Sequence, residues 1–380
     1  MELSPEDALR LNVLLANDPL AIRINESTMT LYGLLPDGEV RVQLNPSGPD
    51  EKYLKLVRAM LSEKALGSPG GYPLYLQRWT RMGQMREESL EQLLMLGDPT
   101  AVFAVVCAQG LTDELARRAW WASEEAENAR RMLQTEEVVQ GATGRVLARY
   151  LVDYLPFETE TETMIESVRA VLQPGLLDEE ERLGLWKKAV RKTPYLVGFV
   201  AACPDDLPEP LPPHGELAVV APVLEGRAAA GDGAARLLLR TFSGPGQRFL
   251  DTCRRILARP PTLDVVTGAL DAMRGYFAAL RPEGDPDLTI AELIGEAEQW
   301  LDHDPVAGGL LQALPGLRRE LEAMRVLSGA GYGVVRPAMK GSNAIGSLMR
   351  RKLEPVTGPL TDRIEILMGA ASDRSSQSPP

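Results

Sequence analysis

The chain has almost none of the side chains that carry most covalent chemistry. In 380 residues there are two histidines and three cysteines. Nucleophilic, general-base and transition-metal chemistry draws chiefly on these residue types. His214 lies in Leu211-Pro212-Pro213-His214-Gly215 and His303 in Asp302-His303-Asp304-Pro305, neither at catalytic or ligand spacing from a second such residue. Cys107, Cys203 and Cys253 are scattered and odd in number, which argues against a disulfide framework and suits a reducing compartment. Aromatic residues amount to 5%, and Leu and Ala dominate, so helix is favoured over sheet. No run of about 20 uninterrupted apolar residues is present to span a bilayer. The opening Met1-Glu2-Leu3-Ser4-Pro5-Glu6-Asp7 is acidic and polar, without the basic start and apolar core of a secretory signal. The expectation is a cytoplasmic protein that is not an enzyme, holds no metal or cofactor and does not engage a membrane.

What is present is an ordinary globular composition, 44% hydrophobic and 25% charged, with a net charge of -12. A chain of this length can bury a large core without staples. An acidic body is a poor general binder of nucleic acid, because counterion release needs clustered cations. The charge is uneven, however. From Asp153 to Glu181 nine acids face the single Arg169; they fall at turns and helix starts, where acids belong electrostatically, and read as a solvated face. From Arg336 to Lys352 the balance reverses, with Arg336, Lys340, Arg350, Arg351 and Lys352 and no acid. That stretch can touch RNA or an acidic partner, or dock on the protein's own acidic surface.

Along the chain, Ser4-Pro5-Glu6-Asp7 reads as a helix start, with Ser4 as cap, Pro5 in the first turn and Asp7 as reciprocal partner. Three short alternating runs follow, at 21–25, 29–33 and 39–44, with the turn signature Pro36-Asp37-Gly38 between the last two. A helix over 50–65 completes an N-terminal α+β module with a three-stranded antiparallel meander, assigned to residues 1–75. Beyond the break Gly67-Ser68-Pro69-Gly70-Gly71-Tyr72-Pro73 the pattern is almost wholly helical, punctuated every 10–20 residues. It predicts a mainly α protein of stacked helical hairpins in the manner of an α-solenoid. The segments 98–108 and 193–203 are both apolar all round and predict buried helices. Five prolines between Pro204 and Pro213 suggest a semi-rigid linker. The resulting division is a helical domain at 76–205, the linker at 206–215, a second helical domain at 216–330 and a basic, partly disordered tail at 331–380.

Few constellations rise above packing. Arg117-Arg118-Ala119-Trp120-Trp121 closes a helix that begins near Leu111-Thr112-Asp113-Glu114. Adjacent tryptophans point about 100° apart on a helix, so they serve either as an anchor for a partner or as core in a tight inter-helix seam. Arg78, Trp79 and Arg81, after the glycine-rich break, offer a second partner surface or an interdomain hinge; no Walker pattern accompanies the glycines. Gly329, Gly331 and Gly333 follow a helix rather than a strand and read as a loop. Cys107 and Cys203, in apolar runs, read as inert packing residues. Cys253, between acidic and basic neighbours in Asp251-Thr252-Cys253-Arg254-Arg255, is a candidate reactive thiol, and with it a thiol-dependent sulfur carrier is one reading.

Several strings resemble one family. Leu3-Ser4-Pro5-Glu6-Asp7-Ala8-Leu9-Arg10-Leu11-Asn12-Val13-Leu14-Leu15-Ala16 with Ala21-Ile22-Arg23-Ile24, Gly67 to Pro73 with Arg78-Trp79-Thr80-Arg81-Met82-Gly83, and Leu111 to Trp121 are similar to the DsrS family, encoded with the dissimilatory sulfite reductase genes of sulfur-oxidising bacteria. The resemblance spans most of residues 1–330 and leaves the basic C-terminal stretch unmatched. It implies a soluble cytoplasmic accessory protein of sulfur oxidation, acting through protein–protein contacts or on expression of the pathway's proteins. It brings no catalytic residues with it. An RNA-contacting regulator using residues 336–352 is the alternative.

Overall fold

The computed structural model describes residues 2–67, 87–281 and 288–369. The chain divides into two compact units. One comprises the chain up to Pro156 together with Gln173–Leu177, the other Phe157–Leu172 and the chain from Asp178 onward.

The first unit begins as the sequence suggests. Helix α1 (Pro5–Leu15) is capped by Ser4, whose Oγ accepts from the Asp7 N–H at 3.1 Å. Asp7 does not close the reciprocal box. Its fully buried carboxylate accepts instead from the Tyr53 hydroxyl at 2.5 Å and from the Asn45 N–H at 2.8 Å. A buried carboxylate must be hydrogen-bonded, and this one ties α1 to helix α2 (Asp50–Leu66). Between them lie β1 (Ala21–Asn25), β2 (Thr30–Leu35) and β3 (Gly38–Gln43), an antiparallel meander in sequence order with Ile22 opposite Gly33 and Leu31 opposite Val42. Met29 has φ +48°, so β2 starts one residue after it. A Cβ at Gly33 would lie 2.6 Å from Leu14 Cδ1; α1 reaches the sheet because that position has no side chain. Leu11, Leu14, Ile22, Leu31, Tyr53, Val57 and Leu61 form the shared core.

Helices α3 (Glu87–Leu94), α4 (Pro99–Val106), α5 (Asp113–Ala122), α6 (Ala126–Met132), α7 (Glu136–Gln140) and α8 (Ala142–Tyr154) complete this unit. Their starts are chemically marked: Asp98 accepts from the Thr100 N–H ahead of Pro99, and Thr112 from the Leu115 N–H. Such caps satisfy donors that the helix itself leaves open. The helix expected over 98–108 forms, but it is not buried all round, since Phe103 and Cys107 are exposed.

The second unit holds α9 (Thr161–Val171), α10 (Glu179–Ala189), α11 (Thr193–Ala202), α12 (Leu217–Ala229), α13 (Gly233–Phe242), α14 (Gly244–Ala258), α15 (Leu263–Tyr276), α16 (Ile290–His303), α17 (Pro305–Ala313), α18 (Arg318–Gly329), α19 (Tyr332–Met339) and α20 (Gly346–Leu367). Asp178 and Glu181 form a full capping box at the start of α10, one of the uses of the acidic stretch. Helix α11, apolar on every side, is buried as expected and packs against α9, α10, α14 and α15. Its Gly198 lies where a Cβ would come within 2.5 Å of Val168 Cβ on α9, which lets the two helices approach closely.

Three expectations are corrected. The proline-rich stretch is no division: the helices on both sides of it belong to the second unit, and Asp205, Glu209 and His214 anchor it there through Arg240, Arg248 and Phe242. Residues 331–369 are no loose tail. Helices α19 and α20 pack in the second unit, and Met349, Leu353, Val356, Leu360, Ile364 and Leu367 of α20 are buried. That heptad-like spacing runs on through Pro355 and Pro359, both inside the helix. Nor do the three glycines form a loop, since Gly329 ends α18, Gly331 caps α19 and Gly333 lies inside it. The residues expected to be disordered from Ser372 onward lie outside the described residues.

Candidate functional site

The tryptophan pair closes α5, and the two side chains serve two different surfaces of the first unit. Both are half-buried. Trp121 turns toward the sheet. Its Nε1 donates to Glu39 Oε2 at 3.0 Å, the same oxygen accepts from Arg23 Nη2 at 2.7 Å, and the Arg23 guanidinium lies 4.7 Å from the Trp121 ring centroid and 4.9 Å from that of Tyr32. Planar guanidinium between two rings, pinned by a carboxylate, is a rigid cation–π arrangement.

Trp120 turns the other way, toward α8. It meets Tyr150 edge to face at 4.7 Å, and Tyr150 in turn stacks on Tyr154 at 5.8 Å. The Tyr150 hydroxyl donates to the Glu124 carbonyl at 3.2 Å, and its partial burial, with Tyr154 and two glutamates nearby, pushes its pKa up. Val146, Tyr150 and Tyr154 are four residues apart, so they share one face of α8. Val146 is 53% and Tyr154 38% exposed, while the adjoining face buries Leu147, Ala148 and Leu151. A helix normally keeps its second face polar. Here the exposed Arg145, Arg149 and Asp153 form the polar face, and the row Val146–Tyr150–Tyr154 extends the apolar side outward at its border, where it adjoins a tryptophan. Aromatic side chains at a half-exposed surface of this kind are candidates for a partner contact.

Arg117 and Arg118 frame the site without answering the helix dipole. Both reach back one turn to Glu114, Arg117 through two bonds of 2.7 Å and Arg118 at 2.8 Å, and Arg118 also reaches Glu91 at 2.7 Å. The two guanidiniums, Arg117 foremost, hold the Glu114 carboxyl down to about 2. Arg78, Trp79 and Arg81 lie outside the described residues. Tyr150, Tyr154, Val146, Arg23 and Glu39 were not singled out from sequence; the four-residue spacing in Val146-Leu147-Ala148-Arg149-Tyr150-Leu151-Val152-Asp153-Tyr154 was the available signal.

The remaining candidates fall elsewhere. Cys253 is fully buried in α14, and burial drives its thiol far up from the ordinary range. The expectation of a partly exposed reactive thiol is therefore overturned: Arg254 and Arg255 lie beside it in sequence but face away, Arg254 onto Asp251, and only a thiolate is nucleophilic. The sulfur-carrier reading, which placed its chemistry on an accessible Cys253, loses that accessible thiol. Cys107 is exposed and Cys203 half-buried, where the sequence suggested packing residues; burial raises both thiols. His214 is buried against Phe242 at 4.1 Å. Arg336, Lys340, Arg351 and Lys352 are exposed, while Arg350 is half-buried and donates to the Pro260 carbonyl at 3.3 Å.

An open groove of about 280 Å³ in the second unit runs over Val197, Val200, Gly268 and Ala272 toward Arg240, which Asp205 holds over the Tyr276 ring. Its lining includes no thiol or imidazole. Among the described residues no group of three His, Cys, Asp or Glu is placed to hold a metal ion, and no helix is long and apolar enough to cross a membrane. No family model, curated protein or solved structure matches the chain.

Proposed function

We propose that the protein is a non-catalytic accessory factor that works through protein–protein contacts, with the Trp120–Tyr150–Tyr154–Val146 surface as the contact region in its first unit. The observation that carries this reading is the outer row of α8. Aromatic side chains held by stacking lose little freedom on binding, which is why Trp and Tyr dominate interface hot spots. On the same helix as Trp120, the exposed Arg117, fixed by Glu114, is a candidate for the polar rim such a patch needs.

The biological setting, cytoplasmic sulfur oxidation, rests on the resemblance of the N-terminal and tryptophan-containing strings to the DsrS family. Affinity capture from a sulfur-oxidising cell lysate tests both parts together. The intact chain is expected to retain identified proteins of the pathway, and a Val146→Ser/Tyr154→Ser variant to lose them while keeping its far-ultraviolet circular dichroism. Recovery of no pathway protein by the intact chain, or equal recovery by the variant, would sink the proposal. Turnover of a sulfur compound by the purified protein would do so as well.

A further inference from the structure

The basic stretch of the second unit is built into the fold in a way its charge alone does not explain. Helix α20 begins at Gly346, and the residue in its N-cap position is Ile345, which offers no side-chain acceptor and is 73% exposed. Ser, Thr, Asp or Asn is preferred there. Leu348, in the first turn, is 47% exposed. An exposed aliphatic residue at a capping position goes against both capping and solvation preferences, and such departures from local rules concentrate at functional sites.

The loop that presents Ile345 is held rather than loose. The Ser342 N–H bonds to the Met339 carbonyl at 2.9 Å, Ser342 Oγ accepts from the Ala344 N–H at 3.3 Å and from Lys352 Nζ at 2.9 Å, and the Gly346 N–H reaches the Pro261 carbonyl at 3.1 Å. Lys340 and Arg351 are exposed, and among the described residues neither side chain makes a hydrogen bond or ion pair. Arg351 and Lys352 lie three and four residues after Leu348, on the same side of α20. Two exposed aliphatic side chains thus share this loop and the first turns of α20 with three cations, on a protein whose net charge is -12.

We infer that this surface docks an acidic amphipathic segment of a partner protein, its aliphatic side chains on Ile345 and Leu348 and its carboxylates on Lys340, Arg351 and Lys352. Charge complementarity selects the sign of the partner, and the aliphatic pair selects its kind. A nucleic acid backbone gains from the cations but nothing from Ile345, and the acidic remainder of the chain repels it. An anionic bilayer would be repelled likewise, and two aliphatic residues give it little to hold. The acids Glu354 and Asp362 lie further along α20, which confines the occupant to the loop and the first two turns. The inference does not depend on the aromatic surface of the first unit.

The test is fluorescence anisotropy on the full chain with a labelled peptide of about 14 residues that carries leucines on one helical face and glutamates on the other. Saturable binding is expected. It should weaken about tenfold in Ile345→Ser/Leu348→Ser, the scale of losing one buried aliphatic contact. It should weaken at least as much in Lys340→Glu/Arg351→Glu, and decline with added salt. All four side chains are exposed and serine at 345 can cap α20, so neither variant is expected to melt below the parent chain. Four results overturn the inference: no binding; equal binding of a peptide with the same composition but permuted order; indifference to the aliphatic substitutions; or tighter binding of oligouridylate or of phosphatidylserine-containing vesicles than of the peptide.

Discussion

Trp121 and Glu39 are joined by an indole N–H···O bond of 3.0 Å that links the end of helix α5 to the last strand of the meander. Arg23 shares the same carboxylate oxygen at 2.7 Å, so three elements meet on one acceptor. Trp121→Phe keeps the ring under Arg23 but removes the donor. It is expected to destabilise the protein by about 0.5–1.5 kcal/mol, the usual net contribution of a hydrogen bond. Glu39→Ala, which strips both donors of their acceptor, should cost at least as much. Urea unfolding of the two variants checks the order.

Gly198 on α11 faces Val168 on α9 with no room for a methyl group, since a Cβ would sit 2.5 Å from Val168 Cβ and 3.2 Å from the Ile165 carbonyl. Gly198→Ala should therefore destabilise the second unit by about 1–3 kcal/mol through overpacking, despite alanine's better helix propensity. Val168→Gly in the same chain, which removes the opposing Cβ, should couple favourably with it. Simple additivity of the two substitutions in a double-mutant cycle would contradict the contact.

His214 gives the second unit a dependence on pH. Its Nδ1 accepts from the Glu216 N–H at 3.3 Å, its ring stacks on Phe242, and burial holds its pKa below the ordinary 6.5, with the Glu216 charge opposing weakly. Above pH 6.5 the imidazole is neutral in both folded and unfolded chains and the stability is unaffected. As the pH falls below 6.5 the unfolded chain takes up the proton first, so stability declines until the folded-state pKa is passed and then levels off. Chemical unfolding at pH 7.5 and pH 5.5, conditions about one unit either side of that value, should show a loss in the parent chain that His214→Gln lacks.

Ile345→Asp should raise stability by about 1 kcal/mol, because the aspartate can cap α20 where isoleucine cannot. The backbone at Ile345 is extended, with φ -125° and ψ 167°, as a capping residue requires. The same substitution should abolish binding of the acidic amphipathic peptide. A stabilised variant that binds unchanged would separate the two roles assigned to this residue.

The parts of the fold that were legible in the sequence are those written in local chemistry. Ser4-Pro5 announces α1, the turn Pro36-Asp37-Gly38 announces the β2–β3 hairpin, and the uniformly apolar Thr193–Ala202 announces a buried helix. What escaped depends on contacts distant in sequence. Asp7 matches a capping pattern, yet Tyr53 claims its carboxylate from 46 residues away. The arginines after Cys253 suggested a perturbed thiol, but helix phase turns the sulfur inward and the cations outward. At the candidate site, Trp120 and Trp121 were visible by type, whereas Tyr150 and Tyr154 became part of it only once α8 was laid beside α5. Proline was the most misleading signal: it was taken as a linker at 204–213, where side chains tie the segment down.

Helix α20 changes what a deletion would mean. Removing everything after Ala330, an obvious way to ask whether the basic residues matter, would also withdraw Met349, Leu353, Val356, Leu360, Ile364 and Leu367 from the interior. It would expose the apolar surfaces of α14 and α18 to water, and the shortened product would collapse or aggregate whatever the cations do. The C-terminal region is a keystone that happens to wear its charges outside, so its surface can be interrogated one side chain at a time but not by shortening the chain.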